Sequence, residues 1–311
     1  MAAIDYVQTG TLNEHSYADL LEPSFDEIKA SMDMVKLQLA EYFATRRANR
    51  LEYKHSTVGS ILDLPVKSED EDSIPFVQPS PGYDTTFTLV NYRSGIKVTR
   101  TLMETSQFPV VKDMMKGLFN SYQRHRIYQM ANVFNGSFSD LGADGVALFS
   151  DSHTHADALA GTWDNLNTAS DITPDGYFNM RLNMQNRTDE KGNPNPLVMT
   201  RLLTVAAKER RAREVVGSPH TADVELNNIN PFKDEVTLDI VNWLTSTTAW
   251  WGCDQNRSDN EKGLFEIERV APNIADASQE VGVDTIFAKR LRYSNAYGAT
   301  IPYAWDGNAG A

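Results

Sequence analysis

The feature that most constrains this chain is one long apolar stripe at helical spacing. Phe108, Val111, Met115, Leu118 and Tyr122, then Ile127, Met130 and Phe134, recur at intervals of three to five residues. That spacing keeps one helix face apolar and predicts a helix over about 108–134. Ser106 suits the N-cap, and Pro109 sits in the first turn, where its missing N–H costs nothing. Gly136 follows at the position of a C-cap glycine. About 27 residues at 1.5 Å each make a rod of roughly 40 Å. An ordinary helix has about 11 to 12 residues, so this one is long enough to organise a domain. It runs directly into the sharpest chemical motif of the sequence.

The 311 residues allow two core-bearing domains or one elongated one. With 41% apolar and 23% charged residues, a folded protein is expected rather than a disordered one. The sequence contains no run of 18 apolar residues, so no membrane-spanning helix is expected. The opening MAAIDYVQTG has neither the basic region nor the apolar core of a signal peptide. Cys253 is the single cysteine, which excludes an intrachain disulfide and fits a reducing compartment. The net charge of −13 argues against a duplex-DNA reader, whose affinity comes mostly from phosphate neutralisation. It leaves open a protein that encloses nucleic acid without gripping it. Internal repeats and low-complexity segments are absent from the sequence.

Residues 1–24 read as an extended polar arm. Phe25, Ile28, Met32, Val35, Leu39 and Tyr42 or Phe43 then predict a helix over about 25–47. Ser24 and Glu27 would form its capping box, and Arg46 and Arg47 would suit its C-terminus. Such a helix either packs on its own domain or docks on a neighbouring subunit. Residues 58–105 look β-rich and exposed, with two strand-like runs on either side of Ser94-Gly95. Phe87, Leu89, Ile96, Val98 and Thr101 alternate as in strands with one covered face. The run Glu69-Asp70-Glu71-Asp72 is consecutive, so its carboxylates share no face and a solvated loop tip is expected. A two-stranded ribbon of this kind is marginal alone and needs something to lie on.

Residues 160–195 are loop-rich and lead into a strand, PLVMTRLL. A helix over about Leu203–Val216 carries Lys208, Arg210, Arg211 and Arg213. Without interleaved aromatics, this basic run reads as a solvated helix face rather than a nucleic-acid site. VELNNINPF and EVTLDIVNWLTSTTAWWGCD read as strands, with Trp243, Trp250 and Trp251 in a β core and their N–H groups bonded. DQNRSDNEKG has the oxygen-rich alternation of a calcium loop but lacks its turn glycine and final glutamate, so it reads as a surface turn. LFEIERVAP and DTIFAKRLRYSNAYGATIPYAW close the chain as strands.

The chemical motif is Asp151-Ser-His153-Thr-His155-Ala-Asp157. On a strand, H-x-H points both imidazoles to one face, which suits a metal. D-S-H-T-H also resembles the opening of metal-dependent hydrolases of the amidohydrolase and TatD type, in which bound metal would generate hydroxide. Against that reading, half the chain precedes the motif and only His220 follows it, in a Gly-Ser-Pro-His-Thr turn. The remainder also lacks the pattern for seven further βα units. GxGxxG, Walker and GxSxG signatures are absent, and Cys253 sits among tryptophans with no nearby histidine, as a buried rather than nucleophilic thiol. No catalytic, cofactor-binding or metal-binding residue is therefore expected, and the chain is not read as an enzyme.

A second resemblance covers roughly residues 55–311. It consists of a ribbon ending in YRSGIKVTRTLME, the long helix, DGVALFSDSHTH, GTWDNL, PLVMTRLLTVAAKERRAREVVG and a terminal RYSNAYGATIPYAWDGNAGA. This order resembles the major capsid proteins of tailed bacteriophages, closest to the Mu-like head-subunit branch. There a segment resembling Asp-Gly-x-x-Leu-Phe-Ser-x-x-His follows the long helix, matched here by Asp144, Gly145, Leu148, Phe149, Ser150 and His153. The resemblance implies an α+β protein of the HK97-like capsid fold. Residues 1–57 would be an N-terminal arm containing the helix at about 25–47, and 58–105 an extended β E-loop. Residues 106–154 would be a P domain with its spine helix at about 108–134, 155–275 a mixed α/β A domain, and 276–311 strands returning to the P domain.

The function so implied is structural. The chain would self-assemble through E-loop, arm and A domain into hexamers and pentamers of an icosahedral phage head enclosing double-stranded DNA. Expected partners are a portal protein, a separate scaffold protein, a decoration protein, and packaged DNA in weak non-specific contact, with no membrane. A separate scaffold is expected because too little sequence precedes the arm for a fused one. The protein would reside in the virion and assemble in the host bacterial cytoplasm. Lys67 occupies the region from which some relatives donate a cross-linking lysine. The alternatives are an encapsulin-like nanocompartment shell and a metal-dependent hydrolase built on Asp151, His153 and His155.

Overall fold

The computed structural model describes residues 37–59, 79, 81–99, 108–156, 161–189, 191–221, 228–276 and 285–311. A short 3-10 turn (Ala40–Tyr42) precedes β1 (Ala44–Arg47), β2 (Glu52–Val58), β3 (Pro81–Thr88) and β4 (Val90–Thr99). Then come α1 (Phe108–Asn135), β5 (His153–Thr154), β6 (Thr162–Trp163), α2 (Pro174–Gln185), β7 (Arg201–Val205) and α3 (Glu209–Gly217). The chain closes with β8 (Thr237–Val241), β9 (Trp250–Cys253), α4 (Asp259–Lys262), β10 (Leu264–Asp276), β11 (Thr285–Ala299) and β12 (Trp305–Asn308). Two four-stranded sheets form, in the orders β1-β10-β11-β4 and β12-β9-β7-β8, with two-stranded pairs β2-β3 and β5-β6. The result is a mixed α and β fold, as expected.

The chain divides into two compact units, one with residues 1–37, 91–126 and 270–294, the other with 38–90, 127–269 and 295–311. In the first unit, Leu118 and Tyr122 of α1 meet Leu291 and Tyr293 of β11, with Tyr92, Ile96 and Ile274 beside them. Tyr92 stacks on Tyr293 at 5.2 Å, and the hydroxyl of Tyr293 is 2.5 Å from Nδ1 of His125. Burial pushes the tyrosine hydroxyl up and the imidazole down, which favours the neutral form of each.

The second unit is built on β12-β9-β7-β8. All four residues of β9 are buried, so both faces of this sheet are covered. One face holds Trp250, Leu202 and Met199 against Tyr177, Met180 and Met184 of α2 and Val215 of α3. On β9 the next residue, Trp251, turns the other way and meets Phe134 at 5.6 Å, and Trp305 meets Phe134 at 5.3 Å. Thr173 caps α2 by accepting from the N–H of Gly176, and Pro174 occupies the first turn.

The stripe at 108–134 becomes α1, with Val111, Met115, Leu118, Tyr122, Met130 and Phe134 all buried. Ser106 and most of the helix expected at 25–47 lie outside the described residues. The described end of that prediction is corrected. Residues 44–47 form a strand, because they pair in parallel with β10, Ala44 against Phe265 through Arg47 against Glu268. Phe43 is already extended, its ring 6.3 Å from Phe134 and 5.9 Å from Tyr297. Sheet pairing here overrides the helical spacing.

Ser94-Gly95 does not separate two strands: β4 runs straight through it. A Cβ on Gly95 would meet the carbonyl oxygen of Lys289 at 3.0 Å, so the glycine serves close approach to β11. The break falls at Leu89, which is buried and donates its N–H to the carbonyl of Leu51. β3 instead pairs with β2. The helix expected from Leu203 starts later, because Leu203 and Thr204 are paired on both sides within β7 and Val205 pairs with Val241 of β8. The strand expected for VELNNINPF lies partly outside the described residues, and its described end is a turn with a single bridge, His220 to Ile229. Residues 160–195, expected to be loop-rich with short ordered pieces, contain the twelve-residue helix α2.

Candidate functional site

The Asp144–His153 segment folds as a clasp. Leu141 bridges Ala147, and the N–H of Gly142 donates to the carbonyl of Val146. Gly145 makes this tight turn with φ of 81°, a left-handed conformation that favours glycine. The turn brings Asp144 back onto His153, with Oδ2 2.6 Å from Nδ1 and both side chains fully buried. Nε2 of His153 lies 3.0 Å from Oδ1 of Asn165 and 3.3 Å from the carbonyl oxygen of Leu148. Asn165 is oriented by two other bonds, since Oδ1 accepts from the N–H of Ser150 and Nδ2 donates to Leu148. Nε2 must therefore donate. The imidazole also stacks on Trp163 at 4.5 Å and 18°.

The second half of the clasp starts from the same indole. The guanidinium of Arg187, which follows α2, lies 4.8 Å from the centre of Trp163 and 5.5 Å from that of Tyr303. It donates to the carbonyl of Asp164 and to Asp306 of β12. Asp306 is completely buried and accepts from the amides of Asn167 at 3.0 Å and Asn183 at 2.9 Å. Burial pushes its carboxyl up to about 6, opposed by Arg187 and the two amides. Asn308 donates to the carbonyl of Thr168, and the N–H of Gly307 to that of Asn165. Residues 163–170 are thus stitched to the C-terminal strand along its length.

This geometry gives the residues of the metal motif their places. His153 and His155 do fall on one side, both buried with Thr154 exposed between them, as a strand places them. Both nitrogens of His153 are already engaged, however. Asp151 is exposed, and Asp157 lies outside the described residues. Among the described residues, no group of three or more His, Cys, Asp or Glu could hold a metal ion. His155 lines a cavity of about 210 Å³ with Tyr83, Trp163, Glu261 and Tyr303.

The other candidates also take structural places. Cys253 is buried, and burial pushes its thiol well up, away from the reactive thiolate. The basic run on and before α3 is paired within the chain, Arg210 to Glu214 at 2.8 Å, Arg213 to Glu209 at 2.9 Å and Lys208 to Asp171 at 2.9 Å. DQNRSDNEKG is a turn followed by α4, whose capping box joins Ser258 and Glu261. Of the tryptophans, Trp250 donates to the carbonyl of Ser170 as expected. Trp251 and Trp305 are buried with their N–H groups unpaired, and Trp243 is 37% exposed, which corrects its place in the core. The Arg187–Asp306 pair was missed, because a single arginine and aspartate 119 residues apart carry no local spacing signal.

The sequence model of the family described as phage capsid protein matches residues 82–308. The chain belongs to that family. The capsid protein is a structural, non-enzymatic major capsid protein, and the hydrolase reading is set aside. No curated protein matches it by sequence. Among solved structures it is similar to the procapsid of bacteriophage JBD30, at 13% identity and a TM-score of 0.52, covering 94% of this chain and 74% of that one. It is likewise similar to a chain of Microbacterium phage Oxtober96, at 10% identity and a TM-score of 0.52, covering 100% and 96%. A third is the virus-like particle from Pyrococcus furiosus, at 7% identity and a TM-score of 0.52, covering 94% and 99%. These likenesses carry the HK97-like fold, and the family match favours the phage capsid over the encapsulin-like shell. In the capsid protein, the six residues of the Asp-Gly-x-x-Leu-Phe-Ser-x-x-His match are the clasp itself. Asp144 and His153 pair, Gly145 turns, Leu148 and Ser150 supply backbone partners, and Phe149 lies against Gly307, where a Cβ would meet its ring at 2.7 Å.

Proposed function

We propose that the capsid protein builds the icosahedral head of a tailed phage, as hexamers and pentamers enclosing double-stranded DNA. The observation that carries this beyond family membership is the β2–β3 ribbon. Among the described residues its two strands pair only with each other, and Val58 at the far end is 71% exposed. The ribbon is rooted at its other end, where His55 and Phe87 pack on Phe265. A two-stranded ribbon is marginal alone, so it suits a surface supplied by a neighbouring copy.

In this reading residues 1–57 are the N-terminal arm, 58–105 the E-loop, 106–154 with 276–311 the P domain, and 155–275 the A domain. The clasp residues favour the Mu-like branch. Portal, separate scaffold and decoration proteins complete the particle in the host cytoplasm. DNA is held loosely, which fits a net charge of −13.

Expression of the chain with and without a candidate scaffold, followed by sedimentation, electron microscopy and nucleic-acid analysis, tests this. Closed shells of hexamers and pentamers support it. Particles that stay small under every condition, or shells that package only protein cargo, overturn it.

A further inference from the structure

One face of the first unit is a cationic surface in an anionic chain. Tyr92 and Ile96 of β4, Leu291 and Tyr293 of β11, and Ile274 of β10 turn toward α1. Strand alternation therefore places Arg93 and Lys97 of β4, and Arg290 and Arg292 of β11, on the opposite face. All four are exposed. They are side by side: a Cβ on Gly95, between Arg93 and Lys97, would lie 3.8 Å from Cβ of Arg290. Among the described residues, no carboxylate pairs with any of the four. This differs from the basic run of α3, which the chain neutralises with its own glutamates. On the same face β10 adds only small uncharged residues such as Asn273 and Ala275.

We propose that this face is the seat for the acidic run Glu69–Asp72 of a second copy of the chain. Four adjacent cations face a run of four consecutive carboxylates, of which an extended chain would turn alternate ones toward the sheet. Arg290 and Arg292 stand on the central strand of β10-β11-β4, with Gly95 on one side and Ala275 on the other, so neither neighbouring strand screens the two arginines there. Copies that each carry a net charge of −13 repel one another, and a local match of opposite sign gives their approach an orientation. The inference rests on the reading that copies pack into a shell through the 58–105 segment, and it names the surface that segment meets.

The test exchanges the charges. Arg290→Glu with Arg292→Glu reverses the face, and a second variant carries Glu69→Lys, Asp70→Lys, Glu71→Lys and Asp72→Lys. All positions of the face are exposed, and circular dichroism checks that each subunit remains folded. Each variant alone should lower shell yield roughly tenfold at low salt, because every copy repeats the same clash. Mixing the two variants should restore shells, since only contacts between copies regain opposite charges. Unchanged yield for the single variants sinks the inference while leaving the shell reading intact. Failure of the mixture to rescue assembly overturns it as well, and loss of packaged DNA from otherwise normal shells of the face variant reassigns the face to phosphate binding. Absence of shells from the unaltered chain counts against the shell reading instead.

Discussion

Removing the imidazole of His153 takes a partner from three groups at once. The Asp144 carboxylate, the Leu148 carbonyl and the Asn165 amide oxygen would face a void, and the stacking partner of Trp163 would be gone. Leaving a buried acceptor without its donor costs about 1–3 kcal/mol, so His153→Ala should lower subunit stability by at least that order. Urea unfolding of dissociated subunits, followed by tryptophan fluorescence, measures it. His155→Ala, at a cavity wall, should cost less. Asp306 gives a prediction of opposite character. Its carboxyl is raised from 3.8 to about 6 by burial, so the folded state holds the proton that the unfolded state has released between those values. Stability from this group is present below about pH 4, falls as pH rises toward 6, and is flat above, a loss on the order of 3 kcal/mol. Asp306→Asn should abolish that slope, so the stability difference between variant and parent must change between pH 4 and pH 6.5. A constant difference would show that Arg187 and the two amides fully hold the charge. The two histidines were visible in the sequence, but their roles were not. Metal ligation and a hydrogen-bonded stack ask for the same residue at the same spacing, and only Asp144, nine residues earlier, separates the two.

At the scale of elements, legibility followed the length of the pattern. The stripe of α1 repeats over many turns, and its predicted and observed limits agree within a residue or so. Short segments were decided by partners remote in sequence. Ala44–Arg47 is a strand because β10 lies alongside it, and Leu203–Val205 is a strand because β8 and β9 flank it. α2 did carry a local signal, Thr173-Pro174 followed by Tyr177, Met180 and Met184 on one face. The surrounding polar residues masked it. The cap makes a prediction: Thr173→Ala removes the acceptor of the Gly176 N–H and should cost about 1 kcal/mol. Thr173→Ser should restore most of it. Because α2 covers Trp250, the cap loss should appear in the tryptophan-detected unfolding midpoint without altering assembly of the folded subunit.

For the whole molecule, the distinction that matters is between contacts that fold a subunit and contacts that join subunits. The β12-β9-β7-β8 sheet, its two covering helices and the clasp are held mainly by partners inside the chain. The β2–β3 ribbon is not: its residues beyond His55 contribute a hydrogen bond from Tyr83 to Thr154, an exposed Val58 and an exposed Lys54–Asp84 pair. Exposed pairs and solvent-facing strands add little to subunit stability. In a closed shell, by contrast, a modest contact is repeated at every equivalent position, and linking makes the later contacts effectively intramolecular. The ribbon should therefore matter for assembly far more than for folding. Replacing residues 57–83 by an Asn-Gly turn leaves Ser56 opposite Asp84 and keeps the rooted pairs Tyr53–Phe87 and His55–Thr85 in register. That variant should unfold within about 1 kcal/mol of the parent, the range of surface changes. Its shell yield should fall by roughly tenfold or more, because the loss is multiplied over the symmetric contacts. Sedimentation and electron microscopy of the folded variant decide the matter: intact shells would mean that the ribbon is an ornament of the subunit, and that the joints lie elsewhere on its surface.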